Sequence, residues 1–259
     1  MEILSGRNNP QIKEAQKLLD KKERKITGRY ILEGARLCKD AAENGTEIEK
    51  LFITEGAAEK YSSEYDIISR AAERVYFISE DNAVKLSDTK NSQNIFCICR
   101  KKENHLEIKK DGMYILLDNI QNPDNLGAAV RTAEALGADG LILNSGCDIY
   151  SPKALRASMG ALIRFPVMIC DEAVSFIAKC VSDGMRVFAT VPDSSADDIT
   201  KTDKSGGAVL VIGNEGNGVS DEVLKACTDR ITIPMKGKAE SLNAAAATAI
   251  SVWEFMKDR

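Results

Sequence analysis

The stretch Asn125-Leu126-Gly127-Ala128-Ala129-Val130-Arg131-Thr132-Ala133 places a fixed cation four residues after a glycine. On a helix this spacing sets Gly127 and Arg131 on one face, with Ala129, Val130, Ala133 and Leu136 forming an opposite, apolar stripe. Glycine costs a helix about 1 kcal/mol relative to alanine, so its position one turn below an arginine suggests that something approaches the backbone there. An exposed arginine beside a glycine tolerated near a helix start would show the same pattern. Ahead of it, Asp118-Asn119-Ile120-Gln121-Asn122-Pro123-Asp124 follows an apolar run at 114–117. A polar loop just past the carboxyl end of a strand is where open α/β sheets hold ligands, and side-chain amides offer both donors and acceptors. Asn125 reads as the N-cap of a helix opening at Leu126.

Two further segments have the residue types of a site. Gly213-Asn214-Glu215-Gly216-Asn217-Gly218 directly follows the apolar run 209–212. Three glycines in six positions imply positive φ angles and exposed backbone amides, suited to wrapping a ligand closely. A plain tight turn accounts poorly for three glycines around Glu215. The order G-x-x-G-x-G after a late strand differs from the dinucleotide fingerprint G-x-G-x-x-G after a first strand, which disfavours an ordinary Rossmann enzyme. Ser220, Asp221 and Glu222 then supply a cap and acidic residues for a helix start. In the third segment Ile231-Thr232-Ile233-Pro234-Met235 leads through 236–240 to Ser241-Leu242-Asn243 and an alanine run. Ser241 reads as the N-cap of the last helix, whose thin face suits close packing.

Other chemistries are hard to assemble. A single His, His105, and seven cysteines without C-x-x-C spacing exclude an evident zinc site or His-centred triad, so no metal is expected. Free thiols fit a reducing compartment. No secretory signal follows Met1 and no run reaches membrane-span length, so the reading is cytoplasmic. The net charge of −4 argues against a nucleic-acid partner, but its distribution matters more. Up to residue 29 there are eight basic residues (Arg7, Lys13, Lys17, Lys21, Lys22, Arg24, Lys25, Arg29) against four acidic ones (Glu2, Glu14, Asp20, Glu23). A solvated amphipathic helix would also carry such a run.

The elements that must position these residues divide into two domains, 1–104 and 112–259, the natural expectation for 259 residues of which 44% are hydrophobic. Ile12, Ala15, Leu18 and Leu19 predict one helix over 10–25. Strands at 30–32, 51–54, 75–78 and 94–99, with a helix over 35–44 ended by Gly45, make a small α/β unit. A charged stretch at 101–112 reads as a linker. Beyond it, short continuous apolar runs at 114–117, 141–143, 167–169, 187–191, 209–212 and 231–233 predict buried parallel strands with helices on both faces.

In order and spacing the three segments resemble the motifs of the SpoU/TrmH family of RNA ribose methyltransferases, within the SPOUT superfamily. The likeness covers 113–257. It rests on Asn125, Gly127, Arg131, Thr132 and Ala133, on Gly213, Asn214, Glu215 and Gly216, and on Ile233, Pro234, Met235, Ser241, Leu242 and Asn243. The first domain, with 5–13 and Leu32-Glu33-Gly34-Ala35-Arg36, resembles the substrate-binding domain of many members, which is similar to small RNA-binding ribosomal proteins. The resemblance implies a C-terminal α/β domain with a trefoil knot, a homodimer with sites at the subunit interface, and S-adenosylmethionine as cofactor. It implies cofactor contacts from Thr190, Pro192, Gly213, Asn214, Glu215, Gly216, Ile233, Pro234, Met235, Ser241 and Leu242. Arg131, Asn125, Glu215, Ser241 and Asn243 would serve catalysis.

Arginine is a poor proton acceptor, so the expected role of Arg131 is to anchor the phosphate beside the target ribose and stabilise the developing alkoxide. RNA would be held by Arg131 and by Arg7, Lys21, Lys22, Arg24 and Lys25. The expected activity is 2′-O-methylation of structured RNA, with large-subunit ribosomal RNA favoured by the auxiliary domain. The alternatives are a transfer RNA ribose methyltransferase, an enzyme methylating a base nitrogen, or a catalytically silent RNA-binding protein of ribosome assembly.

Overall fold

The structure, a computed structural model, describes residues 3, 4, 6, 8–103 and 105–259. Along the chain it runs β1 (Ile3–Leu4), α1 (Pro10–Lys17), α2 (Lys21–Thr27), β2 (Arg29–Glu33), α3 (Ala35–Glu43), β3 (Ile48–Ile53), α4 (Glu55–Lys60), α5 (Ser62–Ala71), β4 (Ala72–Ile78), α6 (Glu80–Leu86) and β5 (Ile95–Arg100). It continues with β6 (Met113–Asp118), α7 (Pro123–Ala135), β7 (Gly140–Asn144), α8 (Pro152–Ala157), α9 (Ala161–Arg164), β8 (Val167–Cys170), α10 (Ala173–Ser182), β9 (Arg186–Thr190), β10 (Asp197–Asp198), β11 (Ala208–Ile212), α11 (Asp221–Ala226), β12 (Asp229–Thr232) and α12 (Ala244–Met256). Among the described residues no helix is long and apolar enough to cross a membrane.

The chain forms two compact units. One takes the chain up to Glu103 together with Asp148–Arg164, and the other takes the stretch from there to Cys147 together with Phe165–Arg259. In the first unit a five-stranded sheet has the order β1-β4-β3-β5-β2, with β5 antiparallel to both β3 and β2. Ile12, Ala15 and Leu18 pack with Ile31, Phe52, Phe96 and Ile98 over this sheet. The expected single helix over 10–25 is two helices. Asp20 interrupts it because its carboxylate accepts the Lys22 backbone N–H at 2.6 Å, making it the N-cap of α2. The excursion 148–164, which a single cut at the linker would leave in the second domain, is tied to this unit. The Tyr150 ring packs tilted against Tyr30 with centroids 4.7 Å apart, and Arg156 and Arg164 reach Asp88 at 2.7 Å and Asp40 at 3.1 Å.

In the second unit seven strands are all parallel, in the order β10-β12-β9-β11-β6-β7-β8. Strand residues alternate between faces. Tyr114, Leu116, Val209 and Val211 pack with Ala173, Ile177 and Val223 of α10 and α11. On the opposite face Phe188 meets Phe255 of α12 edge-on at 5.0 Å. Burial on both faces explains the continuous apolar runs. Part of the charged 101–112 stretch is pinned to this unit: Leu106 and Ile108 pack on the core, and the Tyr114 hydroxyl accepts the Lys109 N–H at 2.8 Å. The chain winds from β6 outward through β7 to β8, then crosses back to β9 on the other side. The order therefore reverses beside β6, and open α/β sheets bind ligands at the carboxyl ends of the strands where that happens.

Candidate functional site

β9, β11 and β12 are neighbours, so the loops leaving their carboxyl ends converge. They enclose a cleft of about 360 Å³ lined by Thr190, Val191, Pro192, by Ile212 to Val219, and by Thr232, Ile233, Met235, Ser241, Leu242, Ala244 and Ala247. The Thr190 hydroxyl donates to the Val211 carbonyl at 2.8 Å, joining two walls. Met235 and Leu242 each leave 37% of their surface exposed. Large apolar side chains facing open space beside backbone amides suit a small ligand with both apolar and polar parts, and the volume lies within the roughly 300–1,000 Å³ of small-molecule sites.

The 213–219 turn is held shut at its base. A Cβ on Gly213 would lie 2.1 Å from both the Gly218 carbonyl carbon and the Val219 nitrogen, so only glycine fits. Of the turn's glycines only Gly218 has positive φ, at 68°; Gly213 serves close approach instead, and a Cβ on Gly216 would meet Asn214 Oδ1 at an ordinary 3.5 Å. The Asn214 side-chain oxygen accepts the Gly216 N–H at 2.8 Å, while its amide donates to the Asn119 carbonyl at 2.7 Å.

Glu215 then joins this turn to the loop after β6. One carboxylate oxygen accepts from the Asn125 amide at 2.8 Å and the Asn122 N–H at 3.2 Å, and the other from the Gln121 N–H at 3.3 Å. Partial burial pushes the Glu215 carboxyl up, but these hydrogen bonds outweigh it and hold the group below its ordinary value.

The caps fall elsewhere than the sequence suggests. α7 starts at Pro123 with Asn122 as its N-cap, accepting the Asp124 N–H at 2.9 Å, because proline suits the first helical position. Asn125 lies inside the first turn, which frees its amide for Glu215. α12 is capped by Asn243, which accepts the Ala246 N–H at 2.7 Å, leaving Ser241 exposed on the cleft wall. Gly127 is buried while Arg131 is exposed, and among the described residues Arg131 has no ion-pair partner.

Of the residues expected to hold cofactor, all but Pro234 line the cleft; of those expected to serve catalysis, Glu215 and Ser241 line it and Arg131, Asn125 and Asn243 do not. Asn217, Gly218, Thr232, Ala244 and Ala247, which belong to the three motif segments read from the sequence but were given no role there, line it too, and so do Val191, Ile212 and Val219, which lie outside those segments. The apolar side chains of Val191, Ile212 and Val219 also fit an ordinary core, so only the adjacency of β9, β11 and β12 reveals them. Among the described residues no cluster of three or more His, Cys, Asp or Glu could hold a metal ion.

Of the residues expected to hold RNA, Lys21, Lys22 and Lys25 are exposed, and Arg7 lies outside the described residues. Arg24 is corrected. It is 3% exposed, donates to the Leu18 and Leu19 carbonyls at 2.7 and 2.8 Å, and pairs with Asp148 at 2.8 Å. It is the inward side of α2, closing the end of α1.

Residues 112–253 match the SpoU rRNA methylase family. The chain belongs to that family. It is thus an RNA methyltransferase, and residues 9–97 match the MRM3-like substrate binding domain. The 23S rRNA (guanosine(2553)-2′-O)-methyltransferase of Bacillus subtilis is 29% identical, with 98% of each chain covered. An AdoMet-bound rRNA methyltransferase from Sinorhizobium meliloti superposes with a TM-score of 0.86 at 28% identity, covering 99% of this chain and 98% of that one. A SpoU methyltransferase from Streptomyces viridochromogenes in complex with AdoMet also gives 0.86, at 26% identity over 97% and 98% of the two chains.

Proposed function

We propose that this SpoU-family enzyme transfers a methyl group from S-adenosylmethionine to a ribose 2′-hydroxyl of large-subunit ribosomal RNA. The observation that carries the reading is the cleft at the ends of β9, β11 and β12, tied through Glu215 to the helix that bears the exposed Arg131. Similarity along nearly the whole chain to a 23S rRNA 2′-O-methyltransferase supports the substrate class.

When bound, S-adenosylmethionine supplies a sulfonium-activated methyl group. The residues fit it: Ile233, Met235 and Leu242 give apolar walls, and the 213–219 turn gives backbone polar groups. The chain's own work is alignment, which can supply roughly 7–11 kcal/mol of barrier reduction. Arg131 holds the phosphate beside the target ribose and stabilises the alkoxide as the hydroxyl loses its proton. The exposed lysines of α2 bind the RNA backbone in the first unit.

Arg131 is not part of the cleft wall, and α12, packed beside α7, leaves Ile250 40% and Trp253 56% exposed. We infer a homodimer that covers this face and completes the site, with the trefoil knot belonging to the same arrangement of the 213–242 loops. A cytoplasmic location fits this reading, with a reducing compartment keeping the seven free cysteines as thiols.

The deciding experiment incubates purified protein and S-adenosylmethionine with ribosomal and transfer RNA, then maps 2′-O-methylation by nuclease digestion and mass spectrometry. A 2′-O-methylnucleoside in large-subunit rRNA is expected. Methylation confined to transfer RNA or to a base nitrogen would overturn the assignment, and sedimentation at monomer mass would overturn the dimer.

A further inference from the structure

We propose that Asp118 is a positioning residue for methyl transfer, holding the 213–219 turn in the shape that walls the cleft. The proposal rests on that cleft being the S-adenosylmethionine site. Asp118 ends β6, where the parallel register sets it beside Asn144 of β7. Its side chain shares the sheet face of Tyr114 and Leu116, the face that α11 covers. It is 2% exposed, and among the described residues no cation pairs with it.

A buried carboxylate without a counter-ion is costly unless hydrogen bonds satisfy it. Here two donors converge on its two oxygens. Asn144 Nδ2 donates to Oδ1 at 2.7 Å, and the backbone N–H of Ser220 donates to Oδ2 at 2.8 Å. Ser220 is the residue directly after the turn. Asn144 is itself fixed, because its carbonyl accepts the Asn119 N–H at 2.8 Å.

The turn is therefore held at two points by the segment leaving β6. Glu215 binds its exposed tip to Gln121, Asn122 and Asn125, and Asp118 binds its buried end through Ser220. Gly218 and Val219, which line the cleft, lie immediately before that second anchor. An amide at 118 can take over both contacts, accepting from Ser220 and donating to the Asn144 side-chain oxygen once that amide turns over, whereas a methyl group at 118 offers Ser220 no acceptor.

That chemistry defines the test. In Asp118→Ala, hydrogen exchange of the Ser220 amide and of the turn should rise roughly tenfold in cofactor-free protein, and the Kd for S-adenosylmethionine should rise roughly tenfold. Asp118→Asn should keep both near wild type, because the new amide can accept from Ser220 while donating to the Asn144 oxygen. Exchange in the first unit should not move.

Unchanged exchange and affinity in Asp118→Ala, or Asp118→Asn no better than Asp118→Ala, would overturn the proposal. If Asp118→Ala does not fold, a folded Asp118→Asn with wild-type exchange supports the proposal and an unfolded one overturns it. A wild-type protein that binds no S-adenosylmethionine would instead overturn the cofactor assignment, and the exchange measurements would still decide the role of Asp118.

Discussion

Arg131 and Glu215 do different work, and their variants should separate it. Arg131→Ala removes a side chain outside the cleft wall, so S-adenosylmethionine binding should stay near wild type in calorimetry while kcat falls at least about 100-fold. Methyl transfer at near wild-type rate would exclude Arg131 from the reaction. Glu215→Gln keeps an acceptor but turns a donor toward other donors, so it should weaken cofactor binding.

The pH dependence of Glu215 follows from its lowered pKa. A carboxylate depressed by folding contributes order above its unfolded pKa and loses it as pH falls through the folded value. Cofactor affinity should therefore hold into mildly acidic solution and drop below the ordinary carboxylate range, and Glu215→Gln should flatten that limb of a titration. Gly213→Ala should abolish binding, because its Cβ meets backbone at 2.1 Å; Gly216→Ala, whose nearest neighbour is Asn214 Oδ1 at 3.5 Å, should bind normally.

At the scale of elements, α2 has two unlike sides, one with exposed Lys21, Lys22 and Lys25 and one with buried Arg24. Replacing Lys21, Lys22 and Lys25 with Gln should leave the melting temperature unchanged and weaken RNA binding, with the salt slope reduced by roughly 0.7–0.9 per lost phosphate contact. Arg24→Gln should do the reverse. It strands Asp148 and two carbonyls, so chemical denaturation should show a loss of about 3 kcal/mol with RNA affinity of the folded protein intact. A weaker RNA complex without lost stability would contradict the burial of Arg24. Helical periodicity alone joined the two helices and put Arg24 with its lysine neighbours, because it does not register an aspartate that caps a new turn.

At the scale of the whole chain, the first unit includes 148–164, a stretch reached only after β6 and β7 have been made. A fragment ending at Glu103 lacks Asp148, Tyr150, Arg156 and the buried Leu155. Such a fragment should have weak near-ultraviolet circular dichroism and a broad melting transition. Attaching 148–164 through a flexible glycine-serine linker should sharpen both. A cooperative transition at the same temperature without the excursion would show that 3–103 suffices.

The parallel sheet was legible in the sequence because strands covered on both faces must be apolar throughout, as 114–117 and 209–212 are. The glycine-rich turn, Glu215 and Arg131 were legible because residue type and local spacing carry them. Strand order, cap choice and side-chain pairing were not. The meeting of Glu215 with Asn125 depends on β11 lying beside β6, and the cleft depends on β9 standing between β11 and β12. Asp118 looked like one polar residue in a polar loop until Asn144 and Ser220 were brought to its two oxygens. Local sequence determines which residues can donate, accept or turn; contacts between residues about 25 and 100 positions apart exist only once the sheet order has placed them.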